Sequence, residues 1–128
     1  MSRIVLDSSA VLAVLNGEAG AEKLSAELLS TAVCSTVNLA EVHGKLVSRG
    51  LSENEAWMAT VCPIDSAMDF TAEQARIAGR LISETRGLGL SLGDRACLAL
   101  GIHLRVPVYT ADRSWKNLKL PVRIQVIR

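Results

Sequence analysis

Ile4-Val5-Leu6-Asp7-Ser8-Ser9 sets three apolar residues, two of them β-branched, in front of a carboxylate and two small hydroxyl residues. Such a run reads as a short buried strand ending on an acid. In an open α/β sheet the ligand crevice lies beyond the carboxyl ends of the strands, which places Asp7 at its mouth. A competing reading makes Asp7 or Ser8 the N-cap of the helix that follows. Val11, Leu12, Val14 and Leu15 give that helix an apolar face, and Asn16-Gly17 stops it.

Downstream, strand and helix patterns alternate. Gly20 to Ser30 predicts a second helix with Ala21, Leu24 and Leu28 inward, and Ala32-Val33-Cys34 a buried strand. Strands separated by helical sequence pair in parallel through right-handed crossovers. Thr36 or Asn38 opens a helix to about Arg49 with Leu39, Val42, Leu46 and Val47 on its core face and Glu41 at the border of that face. Ser52 with Glu55, and Thr71 with Gln74, are capping-box pairs opening helices to about Val61 and Arg86. Ala75, Ala78 and Ile82 are the expected inward face of the second of these, and Ile64-Asp65 a short edge strand before it. Ser91 to Leu100 is nearly all apolar after its first turn and predicts a central buried helix. Pro107 to Thr110 follows as a strand, Trp115 and Leu118 anchor a helical turn, and Val122 to Ile127 closes the chain as an edge strand.

The chain of 128 residues, 49% of them hydrophobic, suits one domain spanning residues 1–128. No apolar run reaches membrane-span length, and the first residues lack the features of a secretion signal, so a cytoplasmic protein without a membrane partner is expected. Cys34, Cys62 and Cys97 are three in number, widely spaced and set among apolar neighbours, which predicts buried reduced thiols. His43 and His103 stand alone and read as structural, so any metal must be held by oxygen. Residues 1–75 carry ten Asp/Glu against four Lys/Arg, a net of −6, whereas residues 76–128 carry three against ten, a net of +7. That polarity suits a cation-holding acidic pocket beside a phosphate-facing surface, or a solvated surface whose charges mix in three dimensions.

Four acids occupy equivalent places: Asp7 and Asp112 follow strands, and Glu41 and Asp94 lie in helices joined to the sheet. Asp94 also stands three residues after Ser91, a capping pair in its own right. The carboxyl ends of parallel strands and the N-termini of the following helices share one edge, so the four can converge. Clustered carboxylates repel unless a hard divalent cation such as Mg²⁺ or Mn²⁺ joins them, and such a cation suits phosphodiester hydrolysis. A haloacid-dehalogenase phosphatase needs a second Asp where Ser9 stands. A receiver domain needs paired acids and a late lysine that are absent.

Ile4 to Leu12, Asn38-Leu39-Ala40-Glu41-Val42, Ser91 to Leu100 and Val108-Tyr109-Thr110-Ala111-Asp112-Arg113 together resemble the four motifs of the PIN-domain ribonucleases, and within them the VapC toxins of type II toxin–antitoxin pairs. The resemblance implies a short, mostly parallel five-stranded sheet flanked by helices, a Rossmann-like three-layer α/β fold. It implies an Mg²⁺- or Mn²⁺-dependent endoribonuclease with Asp7, Glu41, Asp94 and Asp112 as catalytic and metal-binding acids, and Ser9 and Thr110 as hydroxyls positioning carboxylates or water. It further implies structured RNA as substrate, transfer or ribosomal, a VapB-type antitoxin and a homodimer. Some relatives carry a further acid where this chain has Ser114 and Asn117, which predicts one well-held metal and a weaker second arriving with RNA. Arg86, Arg95, Arg113 and Lys116 are candidate phosphate contacts, with Arg95 and Arg113 alternatively pairing with nearby acids. Leu15, Leu28 and Trp57 are candidates for a partner groove or for the core. The rival from another class is a PIN-like module that binds RNA or protein without cutting.

Overall fold

The computed structural model describes residues 2–128. Five strands, β1 (Ile4–Leu6), β2 (Ala32–Ser35), β3 (Ser66–Met68), β4 (Val108–Thr110) and β5 (Ile124–Val126), form one sheet in the order β3-β2-β1-β4-β5. Every pairing is parallel. The helices are α1 (Ser8–Asn16), α2 (Ala26–Leu29), α3 (Thr36–Ser48), α4 (Glu53–Val61), α5 (Ala72–Glu84) and α6 (Leu92–Leu104).

The period-two alternation of β1 divides the core into two layers. Ile4 and Leu6 face a cluster with Ala10, Val11, Leu39, Val42 and Leu46, from α1 and α3. Val5 faces the opposite cluster, with Leu81 of α5, Cys97, Leu98 and Leu100 of α6, Val108 and the fully buried Trp115. A strand buried on both faces has to be apolar throughout, which is why β1 and β2 read as continuous hydrophobic runs. Side chains cap the helices at Asp7, Ser25, Ser35, Ser52, Thr71 and Ser91. Among the described residues no helix is long and apolar enough to cross a membrane.

Several expectations are corrected. The helix expected over Gly20 to Ser30 is a 3-10 turn at Ala21–Lys23 followed by α2, because Ser25 turns extended and starts a new helix by accepting from the Leu28 N–H. The edge strand lies at Ser66–Met68, two residues later than Ile64-Asp65, and β5 spans Ile124–Val126 within the wider stretch expected. α3 opens at Thr36, one of the two starts expected, and Ser35 caps it. Thr71 accepts from the Gln74 N–H, but Gln74 does not return the bond; its side chain is buried and α5 turns Gln74, Ala78 and Leu81 inward. Ala75 is exposed and Ile82 is 51% exposed, so the inward stripe is rotated from the one expected. Val47 is 42% exposed at the end of α3. Cys34 and Cys97 are buried and reduced, as expected, whereas Cys62 is exposed.

Candidate active site

β1 and β4 run side by side, with Val5 beside Val108 and Leu6 beside Tyr109. Asp7 and Thr110 therefore leave the sheet together at its carboxyl edge, the Asp7 N–H reaching the Tyr109 carbonyl at 3.2 Å. The Asp7 side chain is only 3% exposed. Its Oδ1 accepts from the Ser9 hydroxyl at 2.7 Å and the Ala10 N–H at 2.9 Å, and its Oδ2 from the Thr110 hydroxyl at 2.6 Å. The N-cap reading of this residue holds: Asp7 caps α1 while its carboxylate lies at the carboxyl end of β1. Burial raises its pKa from 3.8 to about 6; the three hydrogen bonds oppose the rise and the negative charge of Asp94 adds to it.

Ser9 and Thr110 stitch the two loops together. Ser9 Oγ accepts from the Ala111 N–H at 2.9 Å and lies 3.2 Å from Thr110 Oγ1, which accepts from the Asp112 N–H at 3.0 Å. Each hydroxyl thus orients the Asp7 carboxylate and holds the loop that carries Asp112. The Asp112 carboxylate is exposed, and its Oδ1 accepts from the Ser114 N–H at 2.9 Å and the Ser114 hydroxyl at 2.7 Å, capping the 3-10 turn Arg113–Asn117.

Glu41 and Asp94 approach from α3 and α6. Asn38, buried one turn before Glu41, donates through Nδ2 to Glu41 Oε1 at 3.0 Å and to the Gly93 carbonyl at 3.0 Å. That carbonyl belongs to the residue preceding Asp94, so one amide positions both acids. A Cβ on Gly93 would overlap the Glu41 carboxylate, standing 2.6 Å from its Cδ. Asp94 Oδ2 accepts from the Ser91 N–H at 3.0 Å while Ser91 Oγ accepts from the Asp94 N–H at 3.1 Å, the full reciprocal capping box. Asp94 therefore has one oxygen engaged as a helix cap. Asp94 Oδ1 and Glu41 Oε2 have no hydrogen-bond partner among the described residues.

The thiol of Cys97, at the base of these elements, reports their common field. Burial pushes its pKa up first, and Asp7, Asp94 and Glu41 each push further. Cys34 is raised the same way, by burial and then by Asp7 and Glu41. Asn38 bridges Glu41 to the residue before Asp94, and Thr110 ties Asp7 to the backbone N–H of Asp112, so the acids are linked in two hydrogen-bonded pairs. Among the described residues no three His, Cys, Asp or Glu side chains form a ready-made metal cage.

Arg86, Arg113 and Lys116 are exposed. Arg95 does not pair with a neighbouring acid; its Nη1 donates to the Ala78 carbonyl at 2.9 Å, tying α6 to α5. His43 lies 3.5 Å from Glu53 and edge-on to Trp57, and His103 lies 3.7 Å from Glu73, both structural placements. Sequence alone marks Asn38 as a possible helix start and a member of the second motif and Gly93 as a member of the third, and it assigns neither a contact nor a Ser114–Asp112 bond. The spacing of Asn38 three residues before Glu41 was a usable signal, since such pairs meet on a helix. The approach of Gly93 to Glu41 is a tertiary fact with no local sequence trace.

An open parallel sheet whose carboxyl edge carries buried and half-buried carboxylates defines a Rossmann-like α/β domain with an acidic edge. The PIN domain family model matches residues 4–120, and the chain belongs to that family. Compared with curated protein sequences, the chain has no match. Among solved structures it resembles VapBC2 from Rickettsia felis bound to a promoter DNA fragment, with a TM-score of 0.75, 19% identity and 98% of each chain covered. DNA-bound VapBC from Salmonella typhimurium matches with a TM-score of 0.73, 16% identity and 100% of each chain covered. VapC20 of Mycobacterium tuberculosis, described as a sarcin–ricin loop cleaving toxin, matches with a TM-score of 0.72 and 21% identity, over 94% of this chain and 98% of that one.

Proposed function

We propose that this PIN domain is a metal-dependent endoribonuclease and the toxin of a type II toxin–antitoxin pair. The observation that carries the reading is the buried Asp7 carboxylate at the carboxyl end of β1, held by three donors and facing the charge of Asp94. Three fixed donors suit an ionised acid, yet burial and Asp94 oppose that ionisation. A cation resolves the conflict.

The donors suit a hard divalent ion, since Asp7, Glu41, Asp94 and Asp112 offer oxygen only. Mg²⁺ or Mn²⁺ keeps several waters and uses few protein carboxylates; no three of the acids form a metal-holding group among the described residues, so they would have to close on the ion as it binds. Asp7, Asp94 and Glu41 would hold the ion, with Asp112 at the rim. The ion would supply charge neutralisation at the phosphate and a more acidic bound water. The chain's own part is positioning: Thr110 and Ser9 fix the plane of the Asp7 carboxylate, Asn38 aims Glu41, and the Ser91 N–H leaves Asp94 Oδ1 free to face the crevice.

The VapBC complexes among the structural neighbours support a VapB-type antitoxin as partner, and the sarcin–ricin loop activity of one supports a structured RNA as substrate, with ribosomal and transfer RNA as the candidates. Val47, Leu51, Trp57 and Met58, exposed around α3 and α4, supply apolar surface for the antitoxin. Ile82, Leu88 and Leu92 form a second exposed apolar patch around the α5–α6 connection. Leu15 and Leu28 are partly buried against the core and are not part of that exposed surface.

The test is incubation of the purified protein with total cellular RNA in Mg²⁺, in Mn²⁺ and in chelator, followed by mapping of new 5′ ends. Discrete cuts that need the metal and vanish in Asp7→Asn and Asp94→Asn establish the activity and name the substrate. Identical cutting by those variants removes the acids from the mechanism. No cutting by folded, antitoxin-free wild type favours a binding module or a target RNA missing from the sample.

A further inference from the structure

A second polar feature adjoins the acidic crevice. A cavity of about 250 Å³ opens beside the Asp7 loop at Ser8 and Ser9 and is bounded on its far side by Lys45, Arg49 and Arg128, with Glu18 as its one carboxylate. Arg128 is taken up by Glu18, which leaves Lys45 and Arg49 as the side-chain cations without an acid partner, next to a group of carboxylates.

The geometry arises from α3. Glu41, Lys45 and Arg49 are successive i, i+4 positions, so a chain of side chains leaves the acidic centre at Glu41 and becomes cationic one turn, roughly 6 Å, further along. Lys45 and Arg49 are exposed and form no ion pair among the described residues. Arg128 is fixed, its Nε donating to the Ala111 carbonyl at 3.3 Å and its Nη2 lying 3.1 Å from Glu18 Oε1. Ala111 precedes Asp112, so this arginine is braced against the loop that carries an acid of the crevice. Glu18 is held below its ordinary pKa by its bond from Asn16 and then by Arg128 and Arg49, which places Arg49 within the same field. The nearest cavity-lining residue to the crevice, Ser9, hydrogen-bonds Asp7 itself.

We propose that the Lys45–Arg49–Arg128 cavity is a phosphate-binding track that seats RNA nucleotides flanking the scissile bond. The proposal rests on the nuclease reading for its direction, since the track leads to Asp7. It differs from the cations expected from sequence, Arg86, Arg95, Arg113 and Lys116, none of which lines this cavity. Carboxylates that hold a cation and side chains that hold phosphates are complementary halves of one phosphodiester site; Lys45 and Arg49, in no ion pair among the described residues, leave their charge free for the strand, while Arg128, paired with Glu18, braces the wall. Contacts of this kind are sequence-independent, so the track sets affinity and register while base or shape contacts elsewhere set specificity.

The experiment measures binding of bulk transfer RNA, end-labelled, in chelator and in an Asp94→Asn background, so that no cleavage is needed for the readout. Adding Lys45→Ala and Arg49→Ala is expected to weaken binding at least tenfold at low salt. It should also reduce the slope of log affinity against log salt by roughly 1.4 to 1.8, at about 0.7 to 0.9 for each phosphate contact removed. Lys45→Arg with Arg49→Lys, which retain the charges, should bind like the parent. Unchanged affinity and slope in the doubly substituted protein would overturn the track. So would a cavity that takes up poly-L-glutamate while transfer RNA binds without it, which assigns the surface to an acidic peptide. Cleavage by the protein with Asp94 intact is assayed separately. Its absence would end the nuclease reading, and the binding result would still stand or fall by itself.

Discussion

Asp7 shows how one side chain serves folding and chemistry with opposite demands. As the N-cap of α1 it prefers to be charged, and as a buried acid facing Asp94 it prefers to be protonated. Burial is the larger effect, because the pKa ends at about 6 rather than below 3.8. A carboxyl raised on folding binds more protons folded than unfolded, so metal-free stability falls as pH climbs from 3.8 to about 6 and stays reduced above it. The shift corresponds to about 3 kcal/mol. Asp7→Asn abolishes the titration, and the Thr110 hydroxyl can turn from donor to acceptor for the new amide. In chelator, urea unfolding should therefore find the variant more stable than wild type by up to about 3 kcal/mol at pH 7 and not at pH 4. Saturating Mg²⁺ should narrow the gap by favouring the ionised acid in the wild type. A variant no more stable at neutral pH would show that the three donors, not burial, dominate Asp7. The acid itself was legible in the sequence because a strand ending on Asp is a local pattern; its charge balance was not, because Thr110 and Asp94 come from elsewhere in the chain.

Helix α6 carries two glycines whose missing side chains do different things, and the same substitution should separate them. At Gly93 the atom met by a new Cβ is the end of a flexible side chain, the Glu41 carboxylate. Glu41 can swing away, and alanine favours the helix by about 0.5–1 kcal/mol, so Gly93→Ala should keep or raise the melting temperature. The same swing takes Glu41 from its Asn38 bond, and RNA cleavage should drop at least tenfold. Loss of stability with activity intact would contradict this placement of Glu41. At Gly101 a Cβ would collide with Val108 Cγ2 and stand 3.0 Å from Val122 Cγ2, where α6 crosses β4. Gly101→Ala should cost about 1–3 kcal/mol in chemical denaturation with little change in cleavage by the folded fraction. Most elements were legible because caps and periodicity are local: Ser52 and Ser91 begin their helices as read, and β1, β2 and β4 lie where apolar runs placed them. The inward face of α5 was not. Gln74 and Thr85 are buried, the latter by donating to the Leu81 carbonyl at 2.7 Å, and Ile82 is left outside. Polarity scoring assigns those residues to the opposite sides, whereas docking against α6 sets the rotation.

Across the whole molecule, the division into acidic first and basic second parts does not become two separate faces. Lys45 and Arg49, from the acidic part, meet Arg128 beside Asp7, while Asp94 and Asp112, from the basic part, meet Asp7 and Glu41. The parallel order β3-β2-β1-β4-β5 does this, because β1 lies at the centre and receives loops from both halves of the chain. The sequence implied such a sheet but not how its last strand is closed, and that closure bears on the site. Gly20 has φ +96°, and a Cβ there would overlap the Ile127 carbonyl, 2.8 Å from its carbon. Ile127 in turn donates its N–H to the Thr110 carbonyl at 2.9 Å, and Thr110 holds Asp7 Oδ2. Gly20→Ala therefore imposes both a left-handed backbone on an L side chain and a collision with main chain that cannot rotate away. Strain of this kind costs roughly 1–3 kcal/mol before the collision is counted. Urea unfolding should show a loss of at least about 2 kcal/mol with an unchanged m-value, the sign of a weakened native state rather than an altered unfolded one. The displacement should travel along Ile127 and Thr110, so the folded variant should also cleave RNA more slowly, and proton exchange at the Ile127 amide should accelerate. Lost stability with full activity and a protected Ile127 amide would mean that the closure of the sheet and the acidic centre are independent. A joint loss would show that the loop at Gly20, far from Asp7 in function, sets the floor on which Asp7 stands.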